Sequence, residues 1–429
     1  MTYELHSYTD SNIQLEYSSI NNKNICIIME LYRGKVFSSI INDFINDAVS
    51  LFGIKIFSVK KPYKRTLTNL ISSWMFTLYA SENFNQLVDP FLPNNYQEVN
   101  SLELILKDLV KYDSSLTNTD KLIEKLSSNL VKNFGDKLKV LESYKKSKYY
   151  YDNRNKYSIE KKELLDHRDY GDFKFYKFTI KMGFEIKDKK LIDVLDYLLI
   201  PVDEYNKLKN FYNGDNSKMD ELITIIIYRY QLLGSNNHQL GVKSDIMQKM
   251  KKDYNLSYEC FASSINCTFN HYCSIYYDVE KYFGSFGSFF NLQPTQGTFG
   301  LNPPYQKEII ETSILKALGH LEEAQKEEKL LTFIITIPIW DNEGKKLMKE
   351  EFNNDLPQQN IDYGDFEIIS TVKNSVYHKI TRMIPKEKFT YIDHNHLLVK
   401  NKTIQNTYVI VISTNDNFDP SFILSYDFY

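Results

Sequence analysis

Glycine and proline are scarce in this 429-residue chain, 15 and 11 residues respectively. So few breakers exclude collagen-like and low-complexity classes and leave regular helices and strands as the expectation. Cysteine occurs four times, and Cys26, Cys260, Cys267 and Cys273 form no C-x-x-C pair. That spacing argues against a zinc ribbon or a disulfide scaffold and for a reducing, intracellular setting, cytoplasmic or nuclear. No apolar run approaches the roughly 20 residues of a membrane span, and the opening MTYELHSYTD lacks the basic-then-apolar order of a secretory signal. No membrane partner is expected. A strong charge of either sign is missing too: the net charge is −3, so any nucleic acid must be held by local patches.

What is abundant is Asn, Ile, Lys and Tyr, with 33 tyrosines. That bias fits an AT-rich coding genome, for instance a large DNA virus, for which a cytoplasmic viral factory is one compartment. From about 36 to 132 the apolar residues recur every three or four positions, and VFSSIINDFINDAVSLFG and LIEKLSSNLVKNFG end in glycine as helix stops do. DELITIIIYRYQLL (220–233) predicts another helix. After 240 the rhythm changes: a helix KSDIMQKMKKDY, a strand in LSYECFAS, a long helix from about 307, and the unbroken apolar run LLTFIITIPIW, expected as a strand buried on both faces. A helix at 343–352 and strands FEIIS, HLLVK and TYVIVIS follow, the last two as an antiparallel hairpin at the sheet edge. The expected architecture is a mainly helical domain over 1–215 ahead of a Rossmann-like α/β domain over 216–429.

The peptide GTFGLNPPYQKEII (297–310) places two prolines between a strand and a helix. Such a corner cannot join a central ladder and lies on the rim where α/β sheets bind ligands. The Asn302 side-chain oxygen and the Pro303 carbonyl can each accept one N–H of an exocyclic amine, Pro304 stiffens the turn, and Tyr305 can stack on a base. The chemistry this fits is methyl transfer to N6 of adenine; the alternative is a purely structural turn. Upstream, YECFASSINCTFNHYC (258–273) resembles motif I of amino-methyltransferases, a strand turning through small residues into a helix whose N–H groups face a carboxylate. Asp278 and Glu280 follow where an acid meets cofactor ribose hydroxyls, and YFGSFGSFF supplies Gly284 and Gly287 beside aromatics. That glycine loop lacks the G-x-G-x-x-G spacing.

The run ECFASSINCTFNHYCSIYYDVEKYFGSFGSFFNLQPTQGTFGLNPPY closely resembles the catalytic core of the phosphorylated CTD-interacting factor 1 family, cap-specific adenosine-N6 methyltransferases. The likeness extends from IIIYRYQLLG through FIITIPIW to NTYVIVISTND. The resemblance implies S-adenosylmethionine as cofactor. It implies capped RNA as substrate, methylated on N6 of a (2′-O-methyl)adenosine beside a 7-methylguanosine cap. It assigns Asn302, Pro303, Pro304 and Tyr305 as the catalytic motif. Cofactor contacts fall at Phe261, Ala262, Ser263, Asn266, Asp278, Phe283, Gly284 and Ser285, with Trp340 as a wall of the nucleotide pocket. The family's animal members carry phenylalanine where this chain has Tyr305, and their FASP is here Phe261-Ala262-Ser263-Ser264. With tryptophan only at 74 and 340, the family's N-terminal WW module is expected to be missing, and the phosphorylated polymerase tail is not expected as a partner through it.

The segment 137–162 interleaves lysines, among them Lys145, Lys146 and Lys148, with Tyr144 and the tyrosines at 149–151. Phosphate contacts with stacking rings make an RNA track; a solvated helix face is the equal alternative. His394 and His396 have no carboxylate or cysteine companion, so no metal is expected.

Overall fold

The computed structural model describes residues 13–15, 25–53, 63–79, 89–92, 119–168, 171–186, 189–234, 239–352, 366–394, 400–402 and 406–425. They divide into two compact units: one of 19–238 with 278–283, the other of 1–18, 239–277 and 284–429. The single boundary expected at 215 therefore differs from this division, which falls at 238/239 and returns the short peptide Asp278–Phe283 to the first unit.

The first unit is built on helix α1 (Ile27–Phe52), against which α2 (Tyr63–Tyr79), α3 (Thr119–Lys145) and, further along the chain, a helix over Met219–Leu233 all pack. Fourteen residues of α1 are buried, including Glu30, Arg33 and Gly34. A helix buried on so many sides must be apolar almost all round and must pair the charges it carries. Gly53 stops α1 with φ of +79°, as its position in the sequence predicts. Gly135 does not stop α3. Ile123, Leu126, Leu130, Phe134, Leu138 and Leu141 stay on one buried stripe across it, so continued packing overrides a cost of about 1 kcal/mol.

Short helix α4 (Lys148–Asn153) leads into a three-stranded antiparallel sheet, β1 (Tyr157–Arg168), β2 (Gly171–Ile186) and β3 (Lys189–Pro201), with β2 central. The expectation of a mainly helical domain missed this sheet. Its charged outer face, with cross-strand pairs such as Glu160–Lys181 at 2.6 Å, masks the period-two pattern in composition. Phe175, Phe178 and Ile180 face inward, and α5 (Val202–Phe211) packs on them through Tyr205 and Leu208. The unit closes with α6, the Met219–Leu233 helix, ended by Gly234 in the left-handed conformation.

The second unit is a mixed α/β sheet. It comprises β4 (Leu240–Val242), α7 (Ser244–Tyr254), β5 (Leu256–Glu259), β6 (Gly297–Leu301), α8 (Lys307–Lys326), β7 (Leu331–Pro338), α9 (Asn342–Phe352) and α10 (Ile368–Lys373). β8 (His378–Ile384), β9 (Tyr391–Asp393), β10 (Lys400–Lys402) and β11 (Thr407–Ser413) follow. The main sheet runs β8-β11-β7-β6-β5, with β5, β6 and β7 parallel and β11 antiparallel to both its neighbours. Beyond β5 it continues as single bridges, Glu259 to Tyr272 and Tyr272 to Ser285, both parallel. All residues of β7 and β11 are buried, as a strand covered on both faces requires.

Two expectations fail here. FEIIS is not a strand: its last residues open α10, whose Ile368, Ile369 and Val372 are buried at helical spacing. TYVIVIS is not at an edge, because β8 covers its outer side; of HLLVK only Lys400 is described, and it belongs to β10, paired with β9 in a separate small sheet.

Candidate active site

β6 has parallel neighbours on both sides, so its C-terminal end is at the middle of the sheet's rim. The ladder stops there because the next residues are Asn302 and two prolines without N–H groups. Pro303 is buried, the Gln306 N–H donates to the Pro304 carbonyl at 2.7 Å, and α8 begins at once. Asn302 is half-buried, and its Oδ1 is shielded from water with no donor among the described residues. A buried acceptor left open is costly unless something arrives to fill it.

Tyr305 is held from its far end. Its hydroxyl donates to the Tyr391 hydroxyl, which in turn meets Thr407 Oγ1 at 3.1 Å. The Tyr305 ring stands edge-on to Tyr391 and to Trp340, with centroids 6.0 and 6.3 Å apart. Burial, with the neighbouring Tyr391, pushes the Tyr305 phenol well above its ordinary range, and burial pushes Tyr391 up to about 12. Both hydroxyls thus stay protonated at any working pH and serve as an anchor, not as an acid or base. Trp340 is 7 % exposed and also touches Phe366 at 5.9 Å.

The other half of the site follows β5. Cys260 continues the pairing by donating to the Gly300 carbonyl at 2.8 Å, and the chain then folds into tight turns. The helix expected after the small residues does not form. Its N–H groups are not presented to a ligand: Ser263 N–H donates to Asn266 Oδ1 at 2.7 Å, and those of Ile265 and Asn266 donate to Ser263 Oγ at 3.2 Å. Glu259, which the sequence reading passed over, shapes this loop by accepting from the N–H groups of Thr268 and Phe269 at 2.6 and 2.8 Å. The signal available was an acid at the strand's last position, directly before the turn. A cleft against the sheet is lined by Glu259, Phe261, Asn266, Gly241, Leu301 and Asn302. It therefore brings the motif-I turn and the Asn-Pro-Pro-Tyr corner to one space. Ala262 is beside it, its N–H donating to the Cys273 carbonyl at 2.9 Å.

The next four assignments separate. Gly284 has φ of +99°, and an added Cβ would lie 2.0 Å from the Asn270 carbonyl oxygen, so only glycine fits. Ser285 Oγ is within 2.7 Å of Ser274 Oγ. Asp278, expected at the cofactor ribose, is instead clamped by Arg229, which donates to its two oxygens at 2.7 and 2.8 Å inside the first unit. Phe283 is fully buried in that same unit, tilted against Tyr212 at 5.1 Å. A second acid missed by the sequence reading is Asp341, the N-cap of α9: its Oδ2 accepts from Gly344 N–H at 2.7 Å and the Tyr408 hydroxyl at 3.2 Å. Its Oδ1 is buried without a donor among the described residues.

Of the three lysines, Lys145 is only 16 % exposed along its side chain and pairs with Glu142 at 2.6 Å and Asp89 at 3.7 Å. Lys146 and Lys148 are exposed. No group of three or more His, Cys, Asp or Glu residues arranged for a metal occurs among the described residues, and His396 lies outside them. No helix among them is long and apolar enough to cross a membrane.

Residues 203–360 match the family model described as the phosphorylated CTD interacting factor 1 WW domain. The chain is also similar to the mouse and human proteins named mRNA (2′-O-methyladenosine-N(6)-)-methyltransferase, 34 % identical to each over 96 residues. These residues make up 22 % of this chain and 13 % of each relative. The match to the family model overturns the expectation that the WW module is missing, and with it the exclusion of the phosphorylated polymerase tail as a partner. Counting tryptophans was the wrong test, since the matched residues contain only Trp340.

Proposed function

We propose that the chain is an S-adenosylmethionine-dependent methyltransferase acting on N6 of the adenosine next to a 7-methylguanosine cap. The observation that carries the reading is the open, buried Oδ1 of Asn302 in a cleft shared with the motif-I turn. The strand order supports it: two parallel bridges beyond β5 extend the sheet into the pattern of a Rossmann-like methyltransferase, with one antiparallel strand, β11, inserted near the far end.

The cofactor would supply an electrophilic methyl group. Glu259, Phe261 and Asn266 line the space for it, while Asp278 and Phe283 pack within the first unit. Asn302 Oδ1 accepts one N–H of the adenine amine and the Pro303 carbonyl the other. Two acceptors on one nitrogen pull it from planarity and turn its lone pair away from the ring, toward the electrophile. A fixed acceptor already stripped of water loses no reorganisation energy at that step. Tyr305, anchored by Tyr391, presents a ring to the base, and Trp340 backs that ring. No strong base is required, since the proton leaves after the nitrogen has been alkylated and become acidic.

Labelled methyl transfer to capped and uncapped RNAs starting with A or G tests the reading. Transfer to capped A-starting RNA well above the others supports it. Equal transfer to internal adenines in RNA or DNA would replace the cap with a general adenine substrate, and no transfer to any would leave an RNA-binding scaffold.

A further inference from the structure

We infer that the end of α3 and the helix α4 form a docking surface for single-stranded RNA, with Tyr149 and Tyr151 stacking on bases. The inference rests on the RNA-directed reading above but concerns a separate place on the chain. Ser147 breaks α3 and caps α4, accepting from the Tyr150 N–H at 3.1 Å, so three consecutive tyrosines are presented on one short turn. The middle one is the anchor: Tyr150 is 2 % exposed and touches Tyr144 and Tyr151 at 5.6 and 5.8 Å. Tyr144 is stacked on Tyr32 at 3.7 Å, so the row of rings is backed by further rings and held stiff. The flanking Tyr149 and Tyr151 are 52 % and 57 % exposed. Two half-exposed rings, one on each flank of the buried Tyr150, leave apolar surface that unstacked bases can cover.

Charge selects the partner. Lys146 and Lys148 are exposed and have no ion pair among the described residues, and the Arg154 guanidinium lies 5.3 Å from the Tyr151 ring centre. Asp152 is the one exposed acid within α4. Exposed rings flanked by cations on both sides complement a strand of unstacked bases and phosphates; a duplex hides its base faces and offers only the phosphates. Lys145 is not part of this surface, because Glu142 and Asp89 hold it.

The test uses the full chain and a fluorescent, uncapped single-stranded RNA of mixed sequence, with binding followed by anisotropy across a salt series. Tyr149→Ala with Tyr151→Ala should weaken binding at least about tenfold, while Tyr149→Phe with Tyr151→Phe should bind as wild type. Lys146→Ala with Lys148→Ala should flatten the salt slope by up to about 1.4, at about 0.7 per phosphate contact. Unchanged circular dichroism in each variant confirms that the fold is retained, and the lysine pair provides a second reading should the alanine pair fail to fold. Binding by the alanine pair within twofold of wild type, or an unchanged salt slope in the lysine pair, overturns the inference. RNA binding that depends on these rings in a chain that methylates nothing would keep this surface and discard the proposed reaction.

Discussion

Asn302 is the residue on which the chemistry turns, because its open oxygen is fixed at the rim by a proline on its C-terminal side and a strand on the other. Asn302→Ala should lower single-turnover methyl transfer by about 10²–10³, the usual loss for one positioned transition-state hydrogen bond, with unchanged thermal unfolding. Wild-type turnover would remove it from the mechanism. Tyr305 carries a different kind of test. Since its hydroxyl is spent on Tyr391, Tyr305→Phe and Tyr391→Phe should each cost about 0.5–1.5 kcal/mol of stability, and the double variant should cost clearly less than their sum. Strict additivity, measured by denaturant unfolding, would mean the two hydroxyls act independently. The Asn-Pro-Pro-Tyr corner was legible in the sequence because proline's constraint is local. The pairing of Asp278 was not legible for the opposite reason: its partner, Arg229, is 49 residues away in the chain, and nothing local to Asp278 announces a buried guanidinium.

At the scale of elements, strong apolar periodicity gave α7, α8, β7 and β11 correctly, and it failed where two patterns overlap. The five residues of FEIIS fit a strand as well as one helical turn, and only the burial of Val372 beyond them decides for the helix. After β5 the small residues suggested a helix start, but Ser263 and Asn266 side chains capture the backbone donors first and hold the chain in turns. Helix contact offers a prediction of its own. A Cβ on Gly34 of α1 would lie 2.0 Å from the Tyr228 hydroxyl of α6, so Gly34→Ala should destabilise the helical unit by about 1–3 kcal/mol of overpacking. Adding Tyr228→Leu should recover part of the loss in thermal melts. An unchanged melting temperature for Gly34→Ala alone would show that the two helices can separate without cost.

For the whole molecule, the −3 net charge conceals a buried ionic network that no composition reveals. Arg229 joins Glu30 and Asp278, and Arg33 joins Glu30 and Asp89, nearly all out of water. Burial would raise the Glu30 carboxyl, but Arg229 and Arg33 outweigh it and hold it down at about 2. A folded-state value below the unfolded one contributes stability that is complete above the ordinary carboxylate range and is lost as pH falls toward 2. Unfolding free energy should therefore drop between about pH 4.5 and 2, and Glu30→Gln should flatten that stretch while destabilising the protein at neutral pH. An acid limb identical to wild type would separate Glu30 from acid unfolding.

One measurement bears most directly on the proposed reaction: methyl transfer from labelled S-adenosylmethionine to a 7-methylguanosine-capped RNA beginning with A, set beside the same RNA bearing a triphosphate. The account predicts N6-methyladenosine at the first transcribed nucleotide of the capped RNA, far less on the triphosphate form, and loss of the product with Asn302→Ala. Equal transfer to both RNAs, or a product that survives that substitution, would contradict it.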